Sequence, residues 1–142
     1  MKTSRGFSLL ELLIVVAIIL IIATIAVPSL LRSRQAANES AAASNLKSMN
    51  VVQNVYQITN HAYGTLAELV SDGLLDTRFE GTSSGYQFGV AVSADRLNYT
   101  ITATAVAPTT GRYDYYSTPD YVIRFTTETA RAPSGQAGLP VR

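Results

Sequence analysis

The chain predicts an α+β fold: one long N-terminal helix whose amphipathic half packs on a small antiparallel sheet of about three strands. Three observations lead there. An uncharged apolar run extends from Leu12 to Leu31, a stretch free of Gly and Pro follows from Ala36 to Asn60, and period-two alternation takes over in the second half.

The apolar run is 20 residues long. At about 1.5 Å of rise per residue it spans about 30 Å, the hydrocarbon thickness of a bilayer. Glu11 stands at its head as the one carboxylate, and an acidic group at the edge of a span is a functional candidate because carrying it to the bilayer centre costs about 2 to 3 kcal/mol. Lys2 and Arg5 precede the span, so the positive-inside rule keeps the short N-terminal arm in the cytoplasm and places everything after Leu31 outside. Arg32 and Arg34 run against that rule. A cleavable secretory signal is the competing reading, but its apolar core is shorter and ends in a small-residue cleavage site.

Beyond the span, Ala41-Ala42-Ala43 favours helix, and Leu46, Met49, Val52 and Tyr56 recur at three- and four-residue spacing as a core-facing stripe. Asn38, Glu39, Ser44, Asn45, Lys47, Asn50 and Asn54 are read as its polar flanks. The first half is therefore one helix of about 50 residues, far above the usual globular length. Pro28 interrupts it near the outer end of the span. An internal proline removes one hydrogen bond and clashes with the preceding turn, at about 3 kcal/mol or more, so a kink is expected there.

His61-Ala62-Tyr63-Gly64 ends the long helix. Thr65-Leu66-Ala67-Glu68 then fits a capping box for a short helix over about 66 to 72, docked by Leu66, Leu69 and Val70 and stopped by Gly73. Tyr86, Phe88, Val90 and Val92 alternate with other residues, as do Tyr99, Ile101, Ala103 and Ala105 with threonines, and Ala94-Asp95-Arg96 turns between them. A third strand from about Tyr121 to Thr127 puts Tyr121, Ile123 and Phe125 on one face, after a turn-rich loop from Pro108 to Asp120. The segment 132–142, with Pro133, Gly135, Gly138 and Pro140, is expected to be a flexible tail.

Composition narrows the function classes. A net charge of +1 over 142 residues offers no electrostatic case for nucleic acid as a specific ligand or for an acidic substrate. With no cysteine, disulfides and thiolate metal sites are excluded. His61 is the only histidine, no Gly-rich phosphate loop accompanies it, and a helix-end or surface role suits it better than catalysis; no catalytic residue, cofactor or metal is assigned. Asp114 and Asp120 bracket a loop but lack calcium-loop spacing. Tyr113, Tyr115, Tyr116 and Tyr121 either form an exposed contact surface or, as the favoured reading, mostly cover the sheet. Asn38-Glu39-Ser40 and Asn98-Tyr99-Thr100 match the unspecific glycosylation pattern.

Gly6-Phe7-Ser8-Leu9-Leu10-Glu11, preceded by Lys2 and Arg5 and followed by the apolar helix ending near Pro28, closely resembles the processing site of type IV prepilins and type II secretion pseudopilins. The resemblance is strongest over residues 1 to 35. It implies a leader over 1–6 cut between Gly6 and Phe7, methylation of the new Phe7 amino terminus, a transmembrane and polymerisation helix over 7–31, its amphipathic half over 32–60 and a globular head over 61–131. It also implies that the region at Pro28 extends or melts in assembled filaments. The partners it implies are further copies of the chain, a prepilin peptidase and N-methyltransferase, an inner-membrane assembly platform with a cytoplasmic ATPase, and membrane lipid before assembly. The subunit would sit in the bacterial inner membrane before assembly and in a cell-surface pilus or a periplasmic pseudopilus afterwards. The implied function is a pilus subunit for adhesion, motility or DNA uptake, with a secretion pseudopilin as the alternative and a membrane-tethered enzyme or binding protein as the lesser one. Glu11, paired with the Phe7 ammonium of a neighbouring subunit, would set axial register.

Overall fold

The computed structural model describes residues 7–125 and 138–141. The chain divides into two compact units, Met1–Ser33 and Arg34–Arg142, and one helix, α1 (Leu9–Asn60, 52 residues), contributes to both. The expected leader, residues 1–6, lies outside the described residues. Over the first unit α1 carries its apolar side chains in the open, with Leu9 81% and Ile25 72% exposed.

The second unit is the head. Its stretch of α1 buries Leu46, Met49 and Tyr56 of the expected stripe, with Val52 partly buried against them, and adds Ala42. The helix ends at Asn60, and His61 follows in the left-handed region with φ 53°, closing the last turn by donating its N–H to the Gln57 carbonyl at 2.8 Å. Helix α2 (Leu66–Ser71) then starts on a complete capping box: the Glu68 N–H reaches Thr65 Oγ1 at 3.4 Å while the Thr65 N–H reaches Glu68 Oε2 at 2.8 Å. Leu69 is fully buried, with Leu66 and Val70 beside it. A 3-10 turn, Thr77–Glu80, is an addition to the expected elements; Asp76 caps it and Phe79 is buried.

The sheet has six strands, not about three. They are β1 (Thr82–Ser83), β2 (Tyr86–Val92), β3 (Tyr99–Ala105), β4 (Tyr115–Ser117), β5 (Ile123–Phe125) and β6 (Leu139–Pro140), antiparallel and in chain order. The alternating runs form β2 and β3, paired from Tyr86↔Ala105 to Val92↔Tyr99, with the Ser93–Asn98 connection between them. On the core face of β3 stand Tyr99, Ile101, Ala103 and Ala105, all buried.

The additional strands are short, and short strands show too little alternation to read from sequence. Strand β1 joins β2 through Ser84 and Gly85, with φ of 51° and 75°, the two positive values of a hairpin turn of the primed type. A Cβ on Gly85 would also come within 2.8 Å of Thr110 Cβ. Strand β4 lies inside the segment read as a loop and is buried at all three positions. Tyr121 does not join a strand face: it sits in the turn before β5, with φ 62°, and is 48% exposed. Leu139 and Pro140, assigned to a flexible tail, pair with β5 as the edge strand, where a missing proline N–H is tolerated. Residues 132–137 and 142 of that tail, and Thr126 and Thr127 of the expected third strand, lie outside the described residues.

Candidate functional site

Phe7 is 74% exposed immediately before α1, and the Leu12 N–H bonds to the Ser8 carbonyl at 3.2 Å to open the helix. Glu11 stands in the first turn, where a carboxylate suits the positive end of the helix dipole, and the Ser8 N–H points to its Oε2 at 3.5 Å. No cation pairs with Glu11 among the described residues. Gly6 lies outside them. Pro28 is inside α1, and the helix assignment runs through it without a break. The proline leaves the Thr24 carbonyl without its helical donor, and the Thr24 hydroxyl bonds one turn back to the Ile21 carbonyl at 2.7 Å.

In the head, the polar residues of α1 are as informative as the apolar ones. Glu39 and Asn50, polar flanks by their pattern, are buried, and so is Gln53. They occupy the same face as the stripe, which runs Glu39, Ala42, Leu46, Met49, Asn50, Gln53, Tyr56. Each is satisfied by a loop or strand end. Glu39 accepts from the Arg112 backbone N–H at 2.8 Å, Nε at 3.1 Å and Nη2 at 2.9 Å. Asn50 donates to Ser117 Oγ at 2.7 Å and accepts from the Tyr99 hydroxyl at 3.0 Å. Gln53 donates to the Gly64 carbonyl at 2.6 Å and accepts from the Gly64 N–H at 3.0 Å. One turn before these, Gln35 and Asn38 donate to the carbonyls of Pro108 and Thr110 at 2.8 and 2.9 Å. The helix thus fixes the 107–112 loop at one end of the sheet and the 61–64 turn at the other. Three-and-four spacing is the signal that marks these residues, and their polarity masks it because polar side chains are ordinarily exposed.

The electrostatics follow the same contacts. Burial pushes the Glu39 carboxyl up, but the hydrogen bonds and charge of Arg112 outweigh it and leave it below its ordinary value. The Arg96 guanidinium, helped by the Thr65 N–H, holds Glu68 at about 2. Asp120 is held at about 2 chiefly by Arg124, with Val122 and Thr118 also donating to it. Burial pushes Tyr115 up to about 12.

Asp114 and Asp120 have separate duties. Asp114 is buried and accepts the Ala105 N–H at 2.8 Å, while Asp120 belongs to Arg124 and its own turn. No group of three or more His, Asp or Glu side chains that could hold a metal is gathered among the described residues. Of the four tyrosines, Tyr115 and Tyr116 are buried, Tyr113 is half-buried against Phe125, and Tyr121 is outward, so most of them cover the sheet. His61 is an exposed helix-end residue.

The prokaryotic N-terminal methylation motif matches residues 1–27. The type IV wide pilus major component PilA4 of Thermus thermophilus is 34% identical over 141 residues, which cover 99% of this chain and 100% of that one. The type II secretion system core protein G of Escherichia coli is 34% identical over 61 residues, 43% of this chain and 42% of its own length. The type IV major pilin protein PilA of Myxococcus xanthus is 35% identical over 91 residues, 64% of this chain and 38% of its own length. Similar over essentially its whole length to a pilus subunit, and carrying the methylation motif at the head of an exposed apolar helix, the chain belongs to the type IV pilin family.

Proposed function

We propose that the chain is a structural subunit, not an enzyme. It is cut between Gly6 and Phe7, methylated at Phe7, held in the inner membrane with its N-terminus cytoplasmic, and polymerised through its apolar helix into a type IV pilus. The carrying observation is the wholly unburied apolar stretch of α1 directly behind the processing motif. Apolar surface of that extent is stable only in lipid or against other apolar helices, and transfer from one to the other is what polymerisation from a membrane requires. The full-length match to a pilus component, against matches to under half of the chain for the secretion core protein, favours a pilus over a pseudopilus.

Within that reading Glu11 pairs with the Phe7 ammonium of a neighbouring subunit and fixes register. Such a pair adds little net stability, because desolvation offsets the Coulomb attraction, but leaving one member alone costs about 3 to 5 kcal/mol. Glu11→Leu is expected to leave insertion, processing and the head intact while sharply reducing sheared-filament yield per membrane-bound subunit. Glu80→Ala, at an exposed head position, serves as the control. Glu39 is unsuited to that role because it anchors Arg112. A normal filament yield from Glu11→Leu would rule out a required register contact.

A further inference from the structure

The acceptor pattern Asn-x-Ser/Thr occurs at Asn38-Glu39-Ser40 and at Asn98-Tyr99-Thr100, and the fold treats the two in opposite ways. Asn38 lies within α1, where residues two apart do not face each other, so its amide and the Ser40 hydroxyl diverge. That amide is also spent. Half-buried, it donates to the Thr110 carbonyl at 2.9 Å, and Glu39 beside it is buried against Arg112. Freeing Asn38 would mean releasing the 107–112 loop from the helix.

Asn98 stands at the entry to β3, where period two puts residues two apart on one face. Asn98 and Thr100 accordingly line one surface groove of about 280 Å³, shared with Ala91, Val92 and Ser93. The Tyr99 side chain between them turns inward, its ring against Tyr63 and its hydroxyl donating to Asn50 Oδ1 at 3.0 Å. The backbone here is fixed: the Ser93 N–H donates to the Asn98 carbonyl at 2.9 Å, the Asn98 N–H to Ser93 Oγ at 3.0 Å and the Leu97 N–H to Asp95 Oδ1 at 3.0 Å. The side chains are not. Asn98 is exposed, and neither its amide nor the Thr100 hydroxyl has a hydrogen-bond partner among the described residues. A group attached to this amide therefore breaks no hydrogen bond of the head.

We propose that Asn98 is a glycan acceptor, modified outside the inner membrane by an oligosaccharyltransferase that draws its sugar from a polyprenyl-diphosphate donor. In the transfer, Asn98 Nδ2 bonds to the anomeric carbon of the first sugar and the bond from that carbon to the diphosphate oxygen breaks. The lipid diphosphate leaves with the electron pair, and one amide proton passes to a carboxylate of the transferase. Thr100 is a positioning residue: its free hydroxyl, in the same groove as the amide, is what the transferase can hold while the amide reacts. The inference rests on the orientation proposed above, which puts the head outside the membrane.

The test is peptide mass mapping of the full chain extracted from membranes of the cells that make it. Trypsin separates the two acceptors, Asn98 in residues 97–112 and Asn38 in residues 35–47. Peptide 97–112 is expected to exceed its sequence mass by a sum of sugar residues, and an amidase that cuts the glycan–asparagine bond is expected to leave aspartate at position 98. Peptide 35–47 is expected at its sequence mass. Asn98→Gln and Thr100→Ala should abolish the addition, while Thr100→Ser and Asn38→Gln retain it; loss with Thr100→Ala and retention with Thr100→Ser separate the missing hydroxyl from a misfolded head. An addition that survives Asn98→Gln would put the sugar on another residue and overturn the assignment. Added protease on spheroplasts tests the orientation separately. An unmodified 97–112 from a head that the protease digests would overturn the glycan and leave the orientation standing, whereas a protected head would remove the orientation, and the glycan with it.

Discussion

Replacing Gln53 with leucine tests whether the polar contacts of α1 hold the head together. The Gln53 side chain is fully buried and meets both backbone groups of Gly64, donating at 2.6 Å and accepting at 3.0 Å. Gly64 cannot retreat to find new partners: a Cβ there would already lie 3.0 to 3.1 Å from Tyr56 and Leu69, so the turn is packed tightly between the two helices. Leucine matches the volume but strands one N–H and one C=O away from water, at about 1 to 3 kcal/mol each. The apolar side chain recovers part of this, leaving a loss of about 3 kcal/mol. For a domain of this size that corresponds to a fall in Tm of about 12 °C or more. The assay is thermal unfolding of the head followed by circular dichroism, with Asn54→Leu at the neighbouring exposed position as reference. A Gln53→Leu head that melts within about 3 °C of the parent would show that the Gly64 clamp contributes little and that the turn is held by Tyr56 and Leu69 alone.

The head used there should itself behave as expected: deletion of residues 1–34 is predicted to leave a soluble, folded monomer that does not polymerise, and dilute-solution filaments of the truncated chain would refute the apolar helix as the assembly element. Processing predicts a mature chain beginning at N-methyl-Phe7; intact-mass and N-terminal analysis of membrane-extracted protein should show loss of Lys2 and Arg5, and retention of residues 1–6 would contradict it. Acid should weaken the head. Glu39, Glu68 and Asp120 all have depressed folded values, so their contribution is present above their unfolded values, near 4 to 4.5, and is lost as pH falls through the folded values, which are about 2 for Glu68 and Asp120. Tm should therefore drop across that window, and removal of Arg96 or Arg124 should flatten the drop; a Tm independent of pH between about 4.5 and 2 would show that these pairs carry no stability.

Local signals were enough for the helix, its two-part character, the capping box at Thr65, the β2 and β3 pair and the processing motif. A run of apolar residues longer than any globular helix needs, a Thr-x-x-Glu at a helix start and seven-residue alternation each express their meaning over a few neighbours. Tertiary structure decided what depends on residues far apart in the chain. Strands of two or three residues exist only because a neighbouring strand completes them, so β1, β4 and β6 left no pattern to read, and Tyr121 looks like a strand residue until its turn is closed by Asp120 and Thr118. Whether a polar side chain on α1 faces water or is buried also depends on what lies opposite. Glu39 is buried because Arg112, 73 residues on, offers three donors, and Asn50 because Ser117 and Tyr99 converge on it. Those partners are invisible to a helical pattern, since desolvating a polar group is tolerated only where a distant segment supplies its hydrogen bonds.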